Sequence, residues 1–168
     1  MRKLFLFVGI IGILSTVSFA QNKKADKEAA AIPQFEKALA AIDAKDFVIV
    51  VDAYESSDRT IQTNTDVINF LSFEKEFVYL QDSIVSGNGY TNRVTVSDYK
   101  QVTDKKGNIR MEMQVKGSFL TARIEIFLKK GGNYADVIVN PTKGNAKRFS
   151  GEIVPRAESK YIKRPGVV

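Results

Sequence analysis

Ile109-Arg110-Met111-Glu112-Met113-Gln114-Val115-Lys116-Gly117-Ser118-Phe119-Leu120-Thr121-Ala122-Arg123-Ile124-Glu125-Ile126-Phe127-Leu128 is the stretch that decides the fold of this chain. Apolar and polar residues alternate at a period of two on either side of Gly117-Ser118, as in strands with one buried and one wet face. Met111, Met113 and Val115 form the buried set of the first strand. Leu120, Ala122, Ile124, Ile126 and Leu128 form that of the second, while Arg123 and Glu125 read as surface charges. A link this short joins antiparallel neighbours, because parallel strands need a crossover of a dozen residues or more.

Working outward, the same period recurs in Phe47–Tyr54, Val67–Phe73, Phe77–Gln81, Arg93–Val102, Ala135–Val139 and Phe149–Val154. Turn chemistry separates these runs at Glu74-Lys75-Glu76, Gly87-Asn88-Gly89, Lys106-Gly107-Asn108, Gly131-Gly132-Asn133 and Lys143-Gly144-Asn145. Ahead of them, Ile32, Phe35, Leu39 and Ile42 fall on one face of a helix of about three turns, which Pro33 can open at its first turn. The expected fold is therefore mainly β (α+β): an N-terminal amphipathic helix packed on an antiparallel meander of seven or eight strands. A curved sheet, a sandwich and a barrel all satisfy this pattern, whereas a doubly wound parallel sheet does not. Phe47-Val48-Ile49-Val50-Val51 is apolar on both faces, so the helix is expected to lie across this strand.

The ends carry different signals. Arg2 and Lys3, the apolar run Leu4 to Leu14 and the small residues up to Ala20 describe a secretory signal peptide at 1–20, cleaved between Ala20 and Gln21. Eleven apolar residues rise only about 16 Å as a helix, short of a hydrocarbon core of about 30 Å, so no stable membrane span is expected after cleavage. Residues 21–31 read as a polar tether or frayed helix, 32–155 as a single domain, and 156–168 as a basic, mobile tail with Arg156, Lys160, Lys163 and Arg164. The expected localisation is periplasmic or secreted.

Composition removes much chemistry. His, Cys and Trp are all zero, which excludes Ser-His-Asp and Cys-His nucleophilic sites, disulfides and zinc sites built from Cys or His. The formal charge of +6, or +4 without Arg2 and Lys3, favours solubility without naming a partner. No basic and aromatic interleaving describes a nucleic-acid surface. Ser72-Phe73-Glu74-Lys75 matches Ser-x-x-Lys in form only, since it runs from a strand into a turn without the accompanying motifs. Asp104-Lys105-Lys106-Gly107-Asn108 reads as a hairpin turn, because lysines stand where a calcium loop needs oxygen ligands. Asp52, Asp66, Asp98 and Glu112 are the acids from which a hydrolytic carboxylate pair could be drawn. Asp98 shares a phase with Val94, Val96 and Val102, which points to a bulge. Asn69 sits in phase with Val67, Leu71 and Phe73, which points to a structural hydrogen bond to neighbouring backbone.

The succession Asp46-Phe47-Val48 with Asp52, Asn69-Phe70, Gln81, Gly87-Asn88-Gly89, Lys105-Lys106-Gly107-Asn108, Gly117, Gly132-Asn133 with Ala135, and Gly151 resembles domain-of-unknown-function family 4251, secreted proteins of gut Bacteroidetes. The resemblance spans nearly the whole chain after the leader and brings no activity, substrate, cofactor or catalytic residue. Tyr90-Thr91-Asn92 departs from it, replacing a stretch richer in glycine.

Three functional classes follow. The leading expectation is a noncatalytic envelope module, without cofactor or metal, whose sheet edge or loops contact another protein; a filled core and an exposed edge or apolar patch would mark it. The alternative is a binder of a small apolar or glycan ligand inside a curved sheet, with Phe70, Tyr79, Met111 and Phe127 facing a cavity of roughly 300 Å³ or more. A carboxylate hydrolase is third and needs two acids facing one cleft, at least one with a perturbed pKa.

Overall fold

The computed structural model describes residues 31–168; the predicted leader, its Ala20–Gln21 junction and the tether as far as residue 30 lie outside the described residues. Helix α1 is described over residues 31–43, where Ala38, Ala41 and Ile42 are buried and Phe35 and Leu39 pack beside them. Ile32, the first residue of the predicted stripe, is exposed. The helix ends in bonds from the Ala44 and Lys45 amides to the Ala40 and Ile42 carbonyls, with Lys45 at a φ of 51°.

Ten strands follow: β1 Asp46–Val50, β2 Ala53–Glu55, β3 Ile61–Thr63, β4 Phe70–Glu74, β5 Phe77–Gln81, β6 Thr91–Thr103, β7 Ile109–Lys116, β8 Thr121–Leu128, β9 Tyr134–Pro141 and β10 Lys147–Pro155. A short helix, α2 Ser83–Ser86, interrupts the β5–β6 connection. From β4 to β10 each strand is antiparallel to the next, and β1 pairs with both β4 and β10, so eight strands close a barrel. Closure removes the edges that an open meander would leave. The β2–β3 hairpin hangs from β10 outside the ring.

The run predicted as one strand, Phe47–Tyr54, is bent at Val51-Asp52 into β1 and β2. The Val51 amide turns to the Asn69 carbonyl, and that of Asp52 to Ser150. Gly151 lies opposite the bend, and a Cβ there would overlap the Val50 carbonyl oxygen. Glycine is required because the two backbones approach too closely for any side chain. At Asp98 the β6–β7 register shifts between Val96 and Asp98, the bulge expected from the sequence.

Cross-strand partners share a face, so the registers Phe47↔Phe73 and Val48↔Ser72 separate inside from outside. Phe47, Ile49, Leu71, Phe73, Leu80, Met111, Met113, Ile124, Ile126 and Leu128 fill the interior together with Ala38, Ala41 and Ile42 of α1. The helix thus packs on the barrel core, on the inner side of β1 rather than across its other face as expected.

That outer face is covered by the C-terminal segment, which corrects the reading of 156–168 as a mobile tail. Val48, Phe70 and Ser72 point outward yet are 0 % exposed. Tyr161 stacks edge-to-face on Phe70 with ring centroids 4.6 Å apart. Arg156 pairs with Asp46, Lys163 with Glu74 and Arg164 with Asp82, each at 2.6 Å. The buried Gln81 amide fastens the segment further, donating to the Ile68 and Ile162 carbonyls and accepting from the Arg164 amide. Val167 then bridges to Thr91 beside β6. Sequence reading saw only the charges of this segment and missed that Arg156, Lys163 and Arg164 each have a fixed partner.

Candidate functional site

The barrel interior offers no room for a ligand. A void of ligand size gives its lining side chains accessible surface, and Met111, Met113, Leu71, Leu80, Ile124 and Ile126 have 0 to 1 %. The four residues expected to line a cavity are not brought together. Met111 is inside the core. Phe70 is outside, beneath Tyr161. Tyr79 is also outside, with the Lys163 ammonium 3.4 Å from its ring centroid, and Phe127 lies on the outer wall with the Arg110 guanidinium 5.8 Å away.

The other motifs resolve into structure. The Ser72 hydroxyl donates to Glu74, whose carboxylate also takes Lys163, so Ser72 has no base in Lys75, which turns the chain at a φ of 63°. Asp104 accepts from the Lys106 and Asn108 amides and from the Asn108 side chain, making a hairpin turn. The Asn69 side chain donates to Asn64 rather than to backbone, and its amide oxygen is buried without a partner.

The four candidate acids occupy separate places. Asp98 is exposed at the bulge, Asp66 accepts from the Ile68 amide, and Glu112 pairs with Arg123 at 3.0 Å. Asp52 instead shares an open outer cleft of ≈ 430 Å³ with Glu152, Glu158 and Lys160. Burial, then the Glu152 charge, raises its pKa above the ordinary carboxylate value. Among the described residues, no group of three or more acidic, His or Cys side chains is placed to hold a metal ion.

What the fold presents outward is an edge. Ser56 N donates to Thr60 O and Asn64 N to Asp52 O, which sets the alternation of the β2–β3 ladder. Gln62 therefore faces β2, and the N–H and C=O groups of Ile61 and Thr63 point away from it. Among the described residues no further strand pairs with β3. The hairpin tip is fixed: Asp58 accepts from the Ser56 and Thr60 hydroxyls and the Thr60 amide, which lower its pKa to about 2. Arg59 makes the turn at a φ of 63°.

Beside this edge, on the outer wall, lies a cleft of ≈ 240 Å³. Ala53, Ile61 and Ile138 form its apolar wall; Glu55, Arg148 and Ser150 supply polar groups, with Glu55 and Arg148 3.9 Å apart. Ile61 is 71 % exposed. Sequence reading missed β3, which is three residues long inside a polar run. Its signal was the β-branched pair Ile61 and Thr63 following the Asp58-Arg59 turn.

These features define a class: a closed, solidly filled antiparallel barrel whose free groups lie on its outer edges and clefts. The chain belongs to the family described as domain of unknown function DUF4251, whose model matches residues 29–153. It is similar to the crystal structure, at 1.95 Å, of a DUF4251 family protein from Bacteroides eggerthii DSM 20697. The two share 28 % identity with a TM-score of 0.69, over 79 % of this chain and 94 % of that one. No curated protein matches the chain.

Proposed function

We propose that this protein is an exported, noncatalytic module that binds an extended segment of a partner protein along β3. The segment adds a strand through the Ile61 and Thr63 backbone groups and sets an apolar side chain in the cleft against Ile61 and Ile138. The observation that carries this reading is the unpaired β3 edge beside an apolar cleft, on a barrel whose interior is full. The filled interior counts against the small-ligand alternative. The N-terminal leader supports export, and the absence of His and Cys supports recognition rather than turnover.

A photo-crosslinking residue at position 61, in the protein expressed in an exporting host, tests it. The expected result is a discrete polypeptide adduct that disappears in Thr63→Pro, which removes one outward N–H and leaves the bonds of Gln62 to β2. An adduct unchanged by Thr63→Pro, or none while a residue elsewhere on the barrel yields one, would refute the edge as the binding site.

A further inference from the structure

The turn between β7 and β8 leaves a phenylalanine, Phe119, largely in solvent. Gly117 starts the turn, its amide donating to the Leu120 carbonyl, and a Cβ on it would stand 2.7 Å from the Arg93 carbonyl oxygen. Leu120 is 5 % exposed and anchors the turn inward, so Phe119 projects outward at 68 %. Tyr90 stands beside it, with ring centroids 6.1 Å apart, and is 56 % exposed. Val167, 44 % exposed, is held beside β6 by its bridge to Thr91 and lines a cleft with Gly117 and Ser118 of the same turn. Among the described residues, three of the eight exposed large hydrophobic residues thus gather around this turn.

The charged side chains that line the clefts beside this turn are basic. Lys116 and Arg93 line the cleft on one side of the turn, and Lys143 lines that on the other; no carboxylate side chain lines either. Arg93 also lies over the Phe77 ring, whereas Lys116 and Lys143 are exposed. Asp82, whose amide donates to the Tyr90 carbonyl, is held by Arg164 at 2.6 Å.

We infer that this end of the molecule, Tyr90, Phe119 and Val167 ringed by Lys116, Lys143 and Arg93, is a docking surface for an anionic lipid bilayer. Aromatic rings partition into the boundary between headgroups and chains, and lysines beside them add attraction to anionic lipid. The shape of the site favours a bilayer over a glycan. A sugar would cover one face of a ring at an open turn tip, whereas lipid surrounds a projecting ring on all sides. The surface is separate from β3, so this inference does not rest on the binding role of that edge.

Vesicle co-sedimentation tests it, using protein recovered from an exporting host with its N-terminus read by mass spectrometry. Binding is expected to vesicles containing about one-third phosphatidylglycerol and not to phosphatidylcholine alone, and to weaken at least about tenfold in molar salt. Phe119→Ser with Tyr90→Ser should abolish it, and Lys116→Gln with Lys143→Gln should weaken it about tenfold or more. Ile61→Ser, a control at another exposed apolar residue, should leave it unchanged. Circular dichroism and unfolding midpoints check that every variant folds. Absence of binding to anionic vesicles, or binding indifferent to the Phe119 and Tyr90 substitutions, would overturn the inference. So would loss on those substitutions of binding to a soluble polyuronate alone.

Discussion

Tyr161→Ala is expected to destabilise the whole barrel, although Tyr161 lies beyond the last strand. Its ring stacks on Phe70, which with Val48 and Ser72 is buried on the outer face of β1 and β4 only because the C-terminal segment covers it. Tyr161 is half-buried, so its ring removes about 100 Å² from water, equivalent to about 2.5 kcal/mol at about 25 cal/mol per Å². The edge-to-face pair adds about 0.5 to 1.5 kcal/mol. A loss of about 3 to 4 kcal/mol is expected, read from urea unfolding at neutral pH by far-ultraviolet circular dichroism with the m-value unchanged. A free tail would lose less than about 0.5 kcal/mol. A change that small would refute the claim that this segment is part of the folded unit.

Other perturbations test other joints of the structure. Gly151→Ala drives a methyl group into the Val50 carbonyl, so it should cost about 3 kcal/mol or more and shift the amide resonances of Val50 and Asp52. Asp52→Asn should stabilise the protein at neutral pH. The folded carboxyl has a pKa above 3.8, so the ionised form disfavours folding, and the gain should shrink as pH falls through that range. Asp82 behaves oppositely. Burial opposes its ionisation, but the Ser83 amide and hydroxyl and the Arg164 guanidinium outweigh burial and lower its pKa below 3.8. Its contribution is present above 3.8 and lost as pH falls through the folded value. Asp82→Asn should therefore destabilise the protein at neutral pH and match the parent at strongly acidic pH, as thermal unfolding across pH would show.

Much of the wall was legible because half-buried antiparallel strands write their faces into the sequence. The burial of β7 and β8 follows the alternation of Met111 to Leu128 residue by residue. The phase of Asp98 located a bulge. Closure was not legible, since it depends on β1 meeting β10, about a hundred residues away, and no local pattern encodes that register. For Phe47 to Val51 the composition showed that both faces are covered but not by what. The C-terminal segment covers the outer one, and its anchor is a single Tyr161 among charges. The sequence excluded several reactive centres by composition, yet could not show the open edge. Ile61-Gln62-Thr63 becomes an edge only because, past the bend at Val51-Asp52, β2 stays on β10 but pairs on its other side with β3 instead of β4, which carries β3 outside the ring.

The claim on which the account depends is that this barrel acts with its outside. Native mass spectrometry of the protein taken from an exporting envelope tests it most directly. A folded chain that retains a polypeptide, lost in Thr63→Pro, and carries no bound small molecule is the expected result. A retained apolar or glycan mass, released by Met111→Phe and untouched by Thr63→Pro, would contradict it.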